Sequence, residues 1–183
     1  MTVKVLDTSG MILGLKEIRC VDIFDLCSSR YRLAISSAVR DEILPPFDKL
    51  PSCVKVLAPS DFRFKPMLNH VIARYPNIGI GELSTYLVTL LELVSKGRKA
   101  FIVTDDKRFR KTLPTFRKDQ ELERLYGGPI PNVPYIWTLS LVKQVVKKEG
   151  IDSEILSKIA GDVRTSTFRY SEDWLRKFED TPD

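Results

Sequence analysis

The chain has 183 residues, of which 43% are hydrophobic and 29% are charged, and its formal net charge is +5. This composition excludes an intrinsically disordered chain, because it supplies enough apolar side chains for the core of one ordinary domain. The basic excess permits a polyanionic partner such as RNA without requiring one. No apolar run is long enough to cross a membrane and no secretory leader pattern is present, so we expect a cytoplasmic protein.

The first sixty residues alternate short apolar runs with helical patterns. The apolar runs predict three strands, over residues 3–7, 33–37 and 53–59. Helical patterns follow the first strand to about residue 30, and a further helix is predicted over residues 36–44, where serines offer an N-cap. This part of the chain therefore predicts an alternation of strand and helix.

The next region contains the clearest helical pattern in the chain. Over residues 82–97 the apolar side chains recur at steps of three and four, and Gly97 is a suitable stop. Residues 100–104 predict the following strand. Strand, helix and strand at this spacing imply parallel strands joined by right-handed crossovers. The predicted fold class is therefore α/β, with a central, mainly parallel sheet flanked by helices.

The pattern weakens after residue 111. Residues 112–134 are interpreted as an insertion that could include a charged helix, and residues 137–150 predict a helix ending at a glycine. We therefore predict a domain over residues 1–150 with an insertion near 112–134. Residues 151–183 are predicted to form a C-terminal helical extension that packs on this domain.

Acidic residues follow two of the predicted strands, at the point where each strand ends. Asp7 closes the first strand, and Asp105 and Asp106 stand side by side after the last. Because sites in parallel sheets form beyond the carboxyl ends of the strands, we expect these acids to converge on one rim. Glu42 lies in the helix after the second strand, and Glu82 opens the helix that leads to the doubled acid.

Carboxylates gathered at one rim repel each other at neutral pH unless some of them are protonated or a hard cation neutralises them. Mg²⁺ and Mn²⁺ suit such oxygen ligands and promote hydrolysis at phosphorus. The cations that follow the doubled acid are predicted to bind an RNA backbone; they are Lys107, Arg108, Arg110 and Lys111. The residues therefore predict a metal site beside a phosphate-binding surface.

Four segments in this order resemble PIN-domain ribonucleases. They are VLDTSGMI, SSAVRDEI, GIGELSTYLVTLLEL and FIVTDDKRFRK, and the resemblance spans roughly residues 3–111. Thr104, Asp106 and Phe109 fit the T-x-D-x-x-F element of that family, and the doubled form TDD is common in its archaeal-type members.

The resemblance implies a three-layer α/β/α PIN-like fold with extra C-terminal helices and a Mg²⁺- or Mn²⁺-dependent endoribonuclease. The implied catalytic and metal-binding set is Asp7, Glu42, Glu82 and Asp106, with Asp105 as a close contender. Three hydroxyl residues, Thr8, Ser9 and Thr104, are implied to orient these carboxylates or their waters. Many relatives are VapC-type toxins, so the implied partners are RNA, an antitoxin protein and a second copy of the chain; an RNA-processing role is the other setting.

The chain also departs from the family pattern. Glu82 stands where many toxins have aspartate, which leaves the metal geometry open. The chain beyond residue 111 is longer than in minimal members, which leaves the antitoxin pairing open. A further alternative is a non-catalytic RNA-binding or assembly module on the same scaffold, which would bind RNA without turnover.

Other enzyme classes fit the sequence poorly. The haloacid-dehalogenase pattern requires an aspartate two residues after Asp7, where this chain has Ser9. His70 is the only histidine and no G-x-S-x-G element accompanies it, which argues against a serine hydrolase. The three cysteines form no C-x-x-C pair, so a zinc site is not expected. Trp137 and Trp174 are expected in the core or in an interface rather than as platforms for bases.

Overall fold

A computed structural model describes residues 1–44, 46–152, 154–168 and 170–180. Within these ranges, five short strands form one sheet in the order β3-β2-β1-β4-β5, and every neighbouring pair is parallel. The predicted α/β class is confirmed, and the described sheet is parallel throughout. The strands are β1 Val3–Leu6, β2 Arg32–Ser36, β3 Val54–Leu57, β4 Ala100–Val103 and β5 Tyr135–Ile136.

Helices join the strands and cover the sheet. The α-helices are α1 Thr8–Ile12, α2 Ile23–Ser28, α3 Ser37–Ile43, α4 Phe64–Arg74, α5 Ile80–Val88, α6 Lys107–Phe116, α7 Gln120–Tyr126, α8 Thr138–Glu149, α9 Glu154–Arg164 and α10 Glu172–Glu179. π-helical turns extend α1 through Leu13–Glu17 and α5 through Thr89–Leu93. No helix in the described ranges is both long and apolar enough to span a membrane.

The helices lie on both faces of the sheet, because successive side chains of a strand point to opposite sides. Leu6 and Ile35 face one layer, in which the apolar sides of α1, α2, α8, α9 and α10 share a core. Ile102 faces the other layer, which is built from α4, α5, α6 and α7. The architecture is therefore α/β/α, with helices from residues 154–164 and 172–179 packed into the first layer.

The sequence patterns do not predict α6 or β5. Helix α6 is dense in cations and contains Pro114, a residue that usually interrupts helices, so its local signal is weak. Strand β5 has only two residues and follows Pro134. It is a strand because its backbone pairs with β4, a partner that no local pattern shows.

The strand order explains where a site can form. From β1 the chain moves to β2 and then β3, and it later returns to the opposite side of β1 as β4. The order therefore reverses between β1 and β4, and in parallel sheets the crevice at the carboxyl ends of such strands is where ligands bind. Asp7 and Asp105 lie just beyond these two strand ends.

The core of the second helical layer depends on Phe116. Its side chain is completely buried, and its ring centroid lies 4.8 Å from that of Tyr75 and 4.4 Å from that of Tyr86. We expect Phe116→Ala to lower the free energy of unfolding by about 3–5 kcal/mol, because the lost ring leaves a cavity. Phe62 is 88% exposed, so Phe62→Ala is the matched control, with an expected change below about 0.5 kcal/mol. Urea unfolding measures both, and equal losses would contradict the assignment of Phe116 to the core.

Candidate functional site

The carboxyl ends of β1 and β4 bring Asp7 and Asp105 together. Asp7 is completely buried and caps α1, where its Oδ1 accepts hydrogen bonds from the Gly10 N–H at 2.8 Å and the Ser9 hydroxyl at 2.7 Å. The Ser9 hydroxyl also accepts a hydrogen bond from the Asp105 N–H at 3.0 Å. Ser9 therefore links the two acids across the strand ends.

Each of these acids keeps one buried oxygen that has no hydrogen-bond partner among the described residues. These atoms are Oδ2 of Asp7 and Oδ2 of Asp105. Burial raises the pKa of Asp7 to about 7, against the opposing effects of the Thr104 hydroxyl, the Gly10 N–H and the Ser9 hydroxyl, and the Asp105 charge raises it further. A buried, unpaired carboxylate is costly, so either a proton or a bound cation would stabilise this pair.

Asp105 is held by groups from the C-terminal part of the chain. Its Oδ1 accepts hydrogen bonds from the Tyr170 hydroxyl and from the Thr138 N–H, the latter at 3.2 Å. Burial raises the pKa of Asp105, whereas these hydrogen bonds and the charge of Arg110 favour its ionised form. Tyr170 was not identified from the sequence, because 65 residues separate it from Asp105 and no pattern marks the contact.

A second group of acids gathers around the start of α5. Glu42 Oε1 accepts a hydrogen bond from the Gly81 N–H at 3.0 Å, and its Oε2 accepts one from the Thr8 hydroxyl. Burial raises the pKa of Glu82, and the negative charges of Glu42 and Asp106 raise it further. These three acids are therefore close enough to influence one another.

Asp106 also has a structural role at the start of α6. Its Oδ1 accepts a hydrogen bond from the Phe109 N–H at 2.5 Å, which caps the helix, and its own N–H donates to Thr104 Oγ1 at 3.2 Å. Thr104 is completely buried, and its hydroxyl lies close enough to Asp7 to affect the pKa of that acid. The T-x-D-x-x-F spacing from Thr104 to Phe109 therefore stabilises the start of α6, whether or not Asp106 also binds a metal ion.

By their contacts, the acids named from the sequence form two groups: Ser9 links Asp7 with Asp105, and the charges of Glu42 and Asp106 act on Glu82. No three His, Cys, Asp or Glu side chains in the described ranges are placed so that they could hold a metal ion. The donor chemistry nevertheless fits a hard divalent cation, because all the donors are carboxylate oxygens and two buried ones have no hydrogen-bond partner in the described part of the chain.

The four cations named from the sequence do not share one surface. Lys107, Arg110 and Lys111 line a cleft that also includes Asp105. Arg108 instead donates a hydrogen bond from Nη1 to the Asn77 carbonyl at 3.0 Å and lines a separate pocket. Three of the four therefore share a cleft with Asp105.

Comparison with known proteins yields one structural likeness. No protein-family model matches the chain, and no curated protein matches it. The chain is similar in fold to a chain in the crystal structure of VapBC2 from Rickettsia felis bound to a DNA fragment from their promoter, with 14% sequence identity and a TM-score of 0.47. The alignment covers 74% of this chain and 98% of that chain. At these values the likeness adds no argument about activity.

Proposed function

We propose that the protein is a Mg²⁺- or Mn²⁺-dependent endoribonuclease that hydrolyses RNA phosphodiester bonds. The observation that carries this proposal is the Asp7–Asp105 pair at the crevice of a parallel sheet, where each acid has a buried oxygen without a partner among the described residues. Lys107, Arg110 and Lys111 lie beside it, where they offer contacts to phosphate. In this arrangement the acids would hold a metal ion and the neighbouring cations would hold the phosphate groups of an anionic substrate.

The proposed cation ligands are Asp7, Glu42, Glu82 and Asp106, together with Asp105. A divalent ion bound there would polarise a phosphoryl oxygen and lower the pKa of a water molecule. The protein's own groups hold the ligands: Ser9 and Gly10 orient Asp7, and Thr8 and the Gly81 N–H orient Glu42. Burial and the negative charges of Glu42 and Asp106 raise the pKa of Glu82, and a bound cation would offset this penalty on its ionised form.

A second candidate is a non-catalytic RNA-binding or assembly module on the same scaffold. It is favoured by the division of the acids into two groups, with no three of the described acidic, histidine or cysteine side chains positioned for an ion. Such a module would retain the cations around the cleft and bind RNA without turnover.

The biological setting remains part of the proposal. The resemblance to PIN-domain proteins agrees with two settings: a toxin that is paired with an antitoxin, or an RNA-processing enzyme. The proposed protein partners are an antitoxin and a second copy of the chain. The cytoplasmic location and the division into residues 1–150 and 151–183 likewise remain predictions from the sequence.

Cleavage of a fluorescent single-stranded RNA tests the activity. We expect cleavage with Mn²⁺ or Mg²⁺, none with EDTA, and at least about 100-fold slower cleavage by Asp7→Asn, because one proposed carboxylate ligand is lost. Asp48→Asn, which removes an exposed carboxylate from a loop, is the matched control and should cleave like the parent. If the parent and Asp7→Asn bind several RNAs but neither cleaves with either metal, the non-catalytic module becomes the better assignment.

A further inference from the structure

A cleft of about 570 Å³ opens beside Asp105, at the junction of α6, β5 and the C-terminal segment. Cations and aromatic rings both line this cleft. The cations are Lys107, Arg110 and Lys111, and the rings include Tyr135, Trp137 and Trp174. Neither tryptophan is fully buried, and Tyr135 is 43% exposed. Trp174 packs against the first helical layer, and both tryptophans line the cavity. A base-binding role for these rings therefore departs from the expectation, drawn from the sequence, that they are not platforms for bases.

The rings in this wall are stacked. The centroids of Trp137 and Trp174 lie 5.3 Å apart with planes inclined by 13°, and Trp174 stacks on Phe178 at 5.8 Å with the same inclination. The guanidinium carbon of Arg110 lies 3.8 Å from the centroid of Trp137. The stack therefore ends in a guanidinium group, and nucleobases stack on both aromatic rings and guanidinium planes.

Two further cations flank this end of the stack. Lys107 and Lys111 are one helical turn apart on α6, so their side chains project from the same side of the helix. Both are exposed, and neither forms an ion pair with a residue in the described ranges. These two features match the two parts of a nucleotide: the ammonium groups suit the anionic phosphate, and the stack of rings suits the flat base.

The cleft is also joined to the acidic pair. The Tyr170 ring lies 5.8 Å from that of Trp137 and 5.1 Å from that of Trp174, and its hydroxyl donates to Asp105 Oδ1. A nucleotide in the cleft would therefore place the adjoining RNA backbone next to Asp105. A fully paired duplex would not enter in this way, because its bases are stacked on one another.

We infer that this cleft binds one nucleotide of a single-stranded RNA, with its base against the end of the Arg110–Trp137–Trp174 stack and a phosphate against Lys107 and Lys111. The inference rests on the proposed function in one respect: the bound RNA is a substrate only if the protein is a ribonuclease. The binding itself uses no metal ligand, so it can be measured without catalysis. An acidic peptide without aromatic side chains is disfavoured because it has no flat group for the stack.

Intrinsic tryptophan fluorescence tests the inference directly, because Trp137 and Trp174 are the only tryptophans in the chain. The protein is titrated in EDTA with single-stranded oligoadenylate, and we expect saturable quenching. Lys107→Ala/Lys111→Ala should weaken binding about tenfold at low salt, since two phosphate contacts are lost. Tyr135→Ala, at an exposed position in the wall, should weaken binding by a few-fold and leave the fold intact.

The matched control removes the same charge elsewhere. Lys55 lies on β3, at the opposite edge of the sheet, and Lys65 lies on α4; both are exposed. Lys55→Ala/Lys65→Ala should retain the parent affinity and quenching. Equal weakening by the two double variants would overturn the inference, because binding would then depend on net charge alone. Binding without any change in tryptophan fluorescence, or no binding, would also overturn it.

These outcomes are separable from those of the cleavage assay. Quenching that depends on Lys107 and Lys111 in a protein that never cleaves RNA would support the cleft and reject the nuclease. Metal-dependent cleavage without quenching would support the nuclease and reject the cleft. A titration with an acidic peptide that quenches the tryptophans more strongly than oligoadenylate would reject RNA as the occupant.

Discussion

The Asp7→Asn variant is expected to be more stable than the parent in EDTA at about pH 8, although it loses cleavage. Burial raises the pKa of Asp7 from 3.8 to about 7, so the folded protein resists ionisation of this group. Below about pH 4 both the folded and unfolded states hold the proton and Asp7 carries no penalty. Between about pH 4 and pH 7 the unfolded state releases the proton first, so stability falls as the pH rises.

Asparagine removes this penalty because it is neutral and of similar shape. Its side-chain oxygen can still accept the hydrogen bonds from Ser9 and Gly10 that Asp7 Oδ1 accepts. The expected gain in the free energy of unfolding is on the order of 2–4 kcal/mol at about pH 8, with no gain at about pH 3.5. Mn²⁺ should stabilise the parent and have a smaller effect on the variant, because a ligand that binds the folded state stabilises it.

Urea unfolding of the parent and Asp7→Asn in EDTA, at both pH values, measures this effect. Asp48→Asn controls for the loss of one negative charge and should show no gain at either pH. A variant less stable than the parent at about pH 8 would mean that the Asp7 charge is already compensated in the metal-free protein. The view that a cation would stabilise the Asp7–Asp105 pair would then be wrong.

Gly81→Ala is expected to reduce cleavage at least tenfold while changing the free energy of unfolding by less than about 1 kcal/mol. A Cβ atom at Gly81 would lie 2.5 Å from Glu42 Oε2 and 2.6 Å from Thr8 Oγ1. Both distances are too short, so the Glu42 carboxylate must move away from the Gly81 N–H that now binds it. Glu42 is exposed, so the movement is cheap for the fold but misplaces a proposed ligand.

Gly161→Ala is the matched control. Gly161 lies in helix α9, and a Cβ atom there would meet no described residue within 4 Å. This variant should gain about 0.5–1 kcal/mol in stability, because alanine favours a helix over glycine, and should cleave RNA like the parent. Thermal unfolding and cleavage rates at saturating metal measure both variants. Full activity of Gly81→Ala would show that Glu42 does not act from the position seen here.

The local sequence determined most of the elements and their order. Alternating and helical apolar periods indicated β1, β2, β3, β4, α5 and α8, because burial of one face is encoded in nearby residues. The same patterns placed Asp7 and Asp105 at strand ends. The parallel arrangement then followed from the spacing of strands and helices, since crossovers of this length permit little else.

Only the tertiary structure decided how the site is assembled. The division of the acids into two groups depends on how α3, α5 and α6 pack at the rim, and the contact between Tyr170 and Asp105 depends on the return of the C-terminal segment to the sheet. Strand β5 and the cleft beside it likewise exist through partners distant in sequence. Local periodicity indicates which face of an element is buried. These contacts instead depend on how elements distant in sequence pack together, and the residues near each element do not predict that packing.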